Sequence, residues 1–214
     1  MTTMSFPQRL QKILQGDLPG LASHVKMVSP VRRKLDAKKQ DTERTQAAVL
    51  VLFYPVEDVP HLVYIKRTGD FGVPHGGQLS FPGGRAEEQD DSLEHTALRE
   101  AQEEVGVDAA QVQVLGRLSS LYIPVSNFLV HPYVGWLDEK PDLTPEESEV
   151  AEILEIPLPH LQRNKTIGET SIQVGEDLTI DNVPYYDLFG HVLWGATAMM
   201  TSELLDIVPI MRES

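Results

Sequence analysis

The chain has 214 residues, 41% of them hydrophobic and 23% charged, the balance of an ordinary globule that fits one generous domain or a domain with an extra arm. It has no cysteine, which excludes a disulfide framework and a thiolate nucleophile, and its net charge of −14 argues against a nucleic-acid duplex as partner. The longest apolar run, residues 47–54, falls far short of the roughly 20 residues of a spanning helix, and MTTMSFPQRLQKILQG lacks the order of a secretion signal. No membrane crossing and a cytoplasmic location are therefore expected.

In chain order, Phe6, Leu10, Ile13 and Leu14 recur at helical spacing, and Gly16 with Pro19 ends that helix. A polar connector carrying Arg32, Arg33, Lys34, Lys38 and Lys39 follows, without an assigned role. Residues 46–54 and 61–67 read as two strands bounded by Pro55 and Pro60. Residues 92–105 read as a helix, 111–118 and 128–136 as strands, and 194–208 as a closing helix. Strands and helices mix without a regular strand-helix-strand repeat, which predicts α+β, a mixed sheet flanked by helices in an α/β/α sandwich. The division expected is residues 1–45 as a helical arm with its basic connector and 46–214 as the main domain. The arm is also a candidate dimer element.

Charge is unevenly placed. Residues 1–45 carry nine Lys and Arg against four acids, so the remainder has nine against 28 and a net charge of −19. Half of the chain's carboxylates lie in residues 86–104 and 138–155. Within the first stretch, Ser92 is placed to cap a helix and Gly106 to stop it. At about 100° per residue, Glu100, Glu103 and Glu104 share one arc of that helix, beside the arc of Ala97, Leu98, Ala101 and Val105. Only Glu103 has a helical cation partner, Arg99. Three carboxylates so arranged suit a hard, oxygen-seeking divalent ion such as Mg²⁺. Upstream, Phe81-Pro82 ends a strand, and Gly83-Gly84 permits a tight turn, close approach of backbone to a ligand and a carbonyl aimed at the ion.

Residues 80–107, SFPGGRAEEQDDSLEHTALREAQEEVGV, resemble the signature of the Nudix hydrolases. Arg99, Glu100, Ala101, Glu103, Glu104, Gly106 and Val107 match its second half position by position. In the first half Asp91 takes the place of the family's Glu, with six residues rather than five between it and Gly84. The segments VYIKRTGDFGVPHGGQLSFPGG at 63–84, SEVAEILEIPL at 148–158 and HVLWGATAMM at 191–200 are similar to the coenzyme A pyrophosphatase branch, although Val73 stands where that branch usually has an Arg.

The resemblance implies a Nudix-type mixed sheet and a small-molecule nucleoside diphosphate substrate. It implies hydrolysis of coenzyme A or a derivative to 4′-phosphopantetheine and adenosine 3′,5′-bisphosphate with Mg²⁺ or Mn²⁺. ADP-ribose, a dinucleotide, or a non-catalytic nucleotide sensor are the alternatives. Glu100 and Glu104 are implied as principal metal ligands, completed by Glu103 and the Gly84 carbonyl, with Arg99 orienting the carboxylates. Glu100 and Glu149 are the two candidates for the base. Arg67, at a strand end, and His75, Gly83 and Gly84 are candidates for substrate binding. His131, Tyr133, Tyr122 and Trp194 read as packing or edge residues.

Overall fold

The computed structural model describes residues 4–32, 43–69, 77–163, 168–174 and 178–210. Helix α1 (Phe6–Leu14) starts where Gln8 Oε1 accepts the Ser5 N–H at 3.0 Å, and it buries Phe6, Leu10 and Leu14. The Phe6 ring sits 5.5 Å from that of Phe53 and 5.6 Å from that of Trp136, so the arm packs into the main core. A short helix α2 (Leu21–His24) follows.

Strands β1 (Thr45–Val56) and β2 (Val59–Arg67) form a hairpin. The expectation that Pro55 and Pro60 bound the strands is corrected here: the two prolines face each other inside the ladder. The turn is Glu57-Asp58, with φ of 48° and 64°, the two positive values a tight hairpin turn requires. Next come β3 (Leu79–Ser80), β4 (Gly83–Arg85), helix α3 (Leu93–Val105), β5 (Gln113–Arg117), β6 (Leu121–Ile123) and β7 (Phe128–Trp136). Then follow β8 (Val150–Pro157), α4 (Leu158–Arg163), β9 (Gly168–Val174), β10 (Leu178–Leu188), β11 (His191–Leu193) and α5 (Gly195–Ile207).

The main sheet runs β3-β2-β1-β7-β5, with β4 beside β1, β6 beside β7 and β8 beside β2. It is mixed, because β1 and β7 are parallel while the other pairs are antiparallel. Alternation along β1 divides the molecule into layers. Ala48, Leu50, Leu52 and Tyr54 meet Ala97, Ala101 and Val105 of α3 on one face. Ala47, Val51 and Phe53 join Leu10, Leu14, Ala198 and Leu204 of α1 and α5 on the other. The expected α/β/α arrangement is therefore present. The sequence reading missed β8 and the separate sheet β11-β10-β9.

Helix α5 fastens the arm. Glu203, fully buried, accepts from the N–H groups of Gly20 and Ser119 at 3.0 and 3.1 Å and from Ser119 Oγ at 2.6 Å, and it pairs with His24 Nε2 at 3.0 Å. One turn on, Asp206 takes Lys26 Nζ at 2.7 Å. Burial pushes the Glu203 carboxyl up, but the His24 ring, Ser119 and Gly20 outweigh it and hold the group below the usual carboxylate range. A depressed carboxylate stabilises the fold above its unfolded value, about 4.3, and that stability is lost as pH falls through the folded value. Glu203→Ala strands its donors, so urea unfolding at pH 7 is expected to show a loss of about 3 kcal/mol. The difference from wild type should shrink below about pH 4.

Candidate active site

The loop into α3 and the strand before it bring the carboxylates together. Gly83 and Gly84 do not make the expected tight turn: they form β4, paired with Val49 and Ala48 of β1. Close approach is nonetheless the reason for both glycines. Gly83 has φ 151°, and a Cβ there would lie 2.4 Å from the Ala48 carbonyl. A Cβ on Gly84 would lie 2.5 Å from the Glu100 carboxyl, so that carboxylate occupies the space the missing side chain leaves.

Helix α3 has the boundaries its sequence announces. Ser92 Oγ accepts the His95 N–H at 3.1 Å, and Gly106 closes the helix in the left-handed conformation at φ 71°. Asp90, whose side chain is 2% exposed, takes Arg99 Nε on Oδ1 at 2.9 Å. Its Oδ2 accepts from Arg99 Nη2 at 3.1 Å, Thr96 Oγ1 at 2.9 Å and the Glu87 N–H at 2.9 Å. The Arg99 guanidinium, together with the Glu87 N–H and Thr96, holds the Asp90 carboxyl well below the usual range despite its desolvation. Arg99 also reaches Glu103 Oε2 at 2.9 Å, Glu100 Oε1 at 3.0 Å and the Arg85 carbonyl at 3.2 Å.

This hub corrects the alignment of Asp91 with the signature's spaced acid. Asp91 is exposed, and its N–H meets His95 Nδ1 at 3.4 Å. The acid that engages Arg99 is Asp90, which restores five residues after Gly84 and moves the extra residue into the stretch between Asp90 and Arg99. That spacing was the available signal.

The three helix carboxylates share an arc but not an environment. Glu104 is 1% exposed; Oε2 accepts the Gly83 N–H at 2.7 Å and Oε1 pairs with Arg67 Nη1 at 2.9 Å. Burial pushes its carboxyl up to about 7, with Gly83 and Arg67 opposing and the charges of Glu100 and Glu149 adding. Glu100 is also raised, first by burial and then against the pull of Arg99. Glu103 turns outward to Arg99. Glu149 stands with Oε2 3.8 Å from Arg67 Nη2. Its backbone is pinned to the end of β2, where the Thr68 N–H donates to the Glu149 carbonyl at 2.9 Å. The structure thus gathers Glu100, Glu104, Glu149, Arg67, Gly83 and Gly84 along one border of α3; His75 lies outside the described residues.

Among the described residues no three acidic or imidazole side chains form a ready-made cation cluster. The donor chemistry nevertheless fits a hard divalent cation: two desolvated, mutually repelling carboxylates, one seated against the Gly84 backbone, offer hard oxygen donors. The single positive charge of Arg67 already compensates part of the excess at Glu104.

The NUDIX domain family model matches residues 44–173. The chain belongs to the Nudix hydrolase family. Among relatives of the Nudix chain is the human mitochondrial coenzyme A diphosphatase NUDT8, 35% identical over 164 residues that span 76% of this chain and 69% of that one. The Nudix hydrolase NudL of Pectobacterium atrosepticum is 46% identical over 118 residues, 54% of this chain and 59% of that one. NudL of Photorhabdus laumondii is 33% identical over 175 residues, 80% of this chain and 90% of that one. No helix among the described residues is long and apolar enough to cross a membrane.

Asp90 and Asp91 separate cleanly by mutation. Asp90→Asn should lower stability by about 2 kcal/mol through loss of its charge-assisted bonds, whereas exposed Asp91→Asn should stay within about 0.5 kcal/mol; thermal unfolding of both variants checks this. Gly84→Ala should displace Glu100 and weaken Mn²⁺ binding by roughly 10 to 100-fold with the fold retained, read by calorimetry and circular dichroism.

Proposed function

We propose that this Nudix hydrolase cleaves the diphosphate linkage of coenzyme A or its derivatives, giving 4′-phosphopantetheine, or its acyl form, and adenosine 3′,5′-bisphosphate. The observation that carries the substrate assignment is the 35% identity to proteins named mitochondrial coenzyme A diphosphatase in human and mouse, each spanning 76% of this chain. The grouping of buried Glu104, Glu100 and the Gly84 backbone supports the reaction class.

In this reading Glu100, Glu104 and the Gly84 carbonyl hold Mg²⁺ or Mn²⁺, with Glu103 at the outer side. The bound cation supplies Lewis-acid neutralisation of the diphosphate oxygens. Arg99, anchored on Asp90, fixes the rotamers of Glu100 and Glu103 and so acts as a positioning residue. Gly83 gives its N–H to Glu104 and holds that carboxylate toward the site. Arg67 and His75 meet the anionic substrate. Water attacks one phosphorus as its proton passes to a carboxylate, the bridging P–O bond breaks, and the leaving phosphate takes a proton in return. Glu149, half exposed beside Arg67, is the better placed base, because Glu100 is committed to Arg99 and Gly84. Residues 46–214 form the catalytic unit and residues 1–45 its packing arm.

Incubation of coenzyme A with the protein and Mn²⁺ should yield the two named products by mass spectrometry. Glu104→Gln should lose more turnover than the roughly 10 to 100-fold that an outer-shell partner costs. Intact coenzyme A beside rapid cleavage of ADP-ribose would reassign the substrate.

A further inference from the structure

The cation that neutralises Glu104 comes from β2 rather than from α3. Arg67 Nη1 lies 2.9 Å from Glu104 Oε1 and Nη2 lies 3.8 Å from Glu149 Oε2, so one guanidinium spans two carboxylates of the site. Among the described residues no other Lys or Arg is paired with either of them. This happens in a body, residues 46–214, whose net charge is −19. The two ends of the contact differ in freedom. Glu104 keeps its second oxygen on the Gly83 N–H at 2.7 Å and is 1% exposed, so it stays in place if Arg67 leaves. The Arg67 side chain is 33% exposed. Its backbone is held on both sides, its N–H donating to the Gln78 carbonyl at 3.0 Å and its carbonyl accepting from Gly77 at 3.1 Å. Only the side chain is able to swing.

Resting on the metal-dependent reading above, we propose that Arg67 is a resident counter-ion: a divalent cation takes over Glu104 Oε1 and releases the guanidinium to grip the substrate diphosphate. A cation of charge +2 and a guanidinium of charge +1 compete for the same lone pairs and repel each other at contact distance. The larger, more compact charge wins a buried carboxylate that also feels Glu100 and Glu149. The displaced guanidinium, still on the Glu149 side, presents parallel N–H donors that match two phosphoryl oxygens. Cation therefore precedes diphosphate, and the same side chain that bridges Glu104 and Glu149 becomes an anion ligand after loading.

Phenylglyoxal labelling of the full chain, with Arg67 located by peptide mass spectrometry and Mn²⁺ uptake followed by electron paramagnetic resonance, tests the exchange. Exposed Arg85 serves as the internal reference. Saturating Mn²⁺ should speed Arg67 labelling several-fold, and inorganic pyrophosphate added next should slow it again. Glu104→Gln should label fast without metal and stop responding to it. Mn²⁺ uptake with Arg67 labelling unchanged or slower overturns the exchange alone. Absence of Mn²⁺ uptake overturns the metal-dependent reading and the exchange with it.

Discussion

A carboxylate taken out of water must be compensated on the spot, and the burial of Glu104 organises this molecule. Glu104 lies almost wholly within the protein between α3 and the strands beneath it. Its two oxygens are met from two different directions, by the Gly83 N–H of β4 and by Arg67 at the end of β2. Neither donor is on the helix. The sheet must therefore be assembled, with β4 in register on β1 and β2 paired to β8, before the helix carboxylate has its partners. The burial that costs free energy also lifts the Glu104 carboxyl to about 7, and a group so placed gains from any additional cation.

The Asp90–Arg99 pair does the complementary work on the other flank. Asp90 is held by four donors, two of them on Arg99, so the guanidinium arrives at Glu100 and Glu103 already oriented. The loop from Arg85 to Asp90 is closed over it, with Arg99 also on the Arg85 carbonyl. The helix thus carries one carboxylate buried toward the sheet, one beside Gly84 and one turned outward, three environments from one arc. A shared arc on α3 does not make equal environments; the neighbours supplied by β2, β4 and the loop differentiate the three carboxylates.

Much of this was legible in the sequence. The ends of α3 followed from Ser92 and Gly106, helix α1 from its apolar spacing, and β7 and α5 lie where a strand over 128–136 and a closing helix over 194–208 were expected. What escaped has physical reasons. Pro55 and Pro60 read as strand ends because proline lacks a donor, yet they face each other near a hairpin end, and Glu57-Asp58 carries the turn without glycine or asparagine. Gly83-Gly84 read as a turn because glycine permits one, whereas here the absent side chains make room for β1 and for Glu100. Strand β8 was hidden in an acidic stretch in which Glu152 is exposed and Glu155 takes the Tyr54 hydroxyl while Val150, Leu154 and Ile156 are buried. The choice between Asp90 and Asp91 depended on a one-residue insertion, and only the geometry around Arg99 decides it. The Arg67–Glu104 contact joins residues 37 positions apart, a distance over which local pattern carries no information.

The most direct measurement of the central claim is a calorimetric titration of Mn²⁺ into the metal-free full chain and into Glu100→Gln. If the border of α3 is a cation site, the wild type should bind with a defined stoichiometry and the variant at least about 10-fold more weakly, with both chains equally folded. Equal affinity in the two, or no uptake by the wild type, would contradict the account.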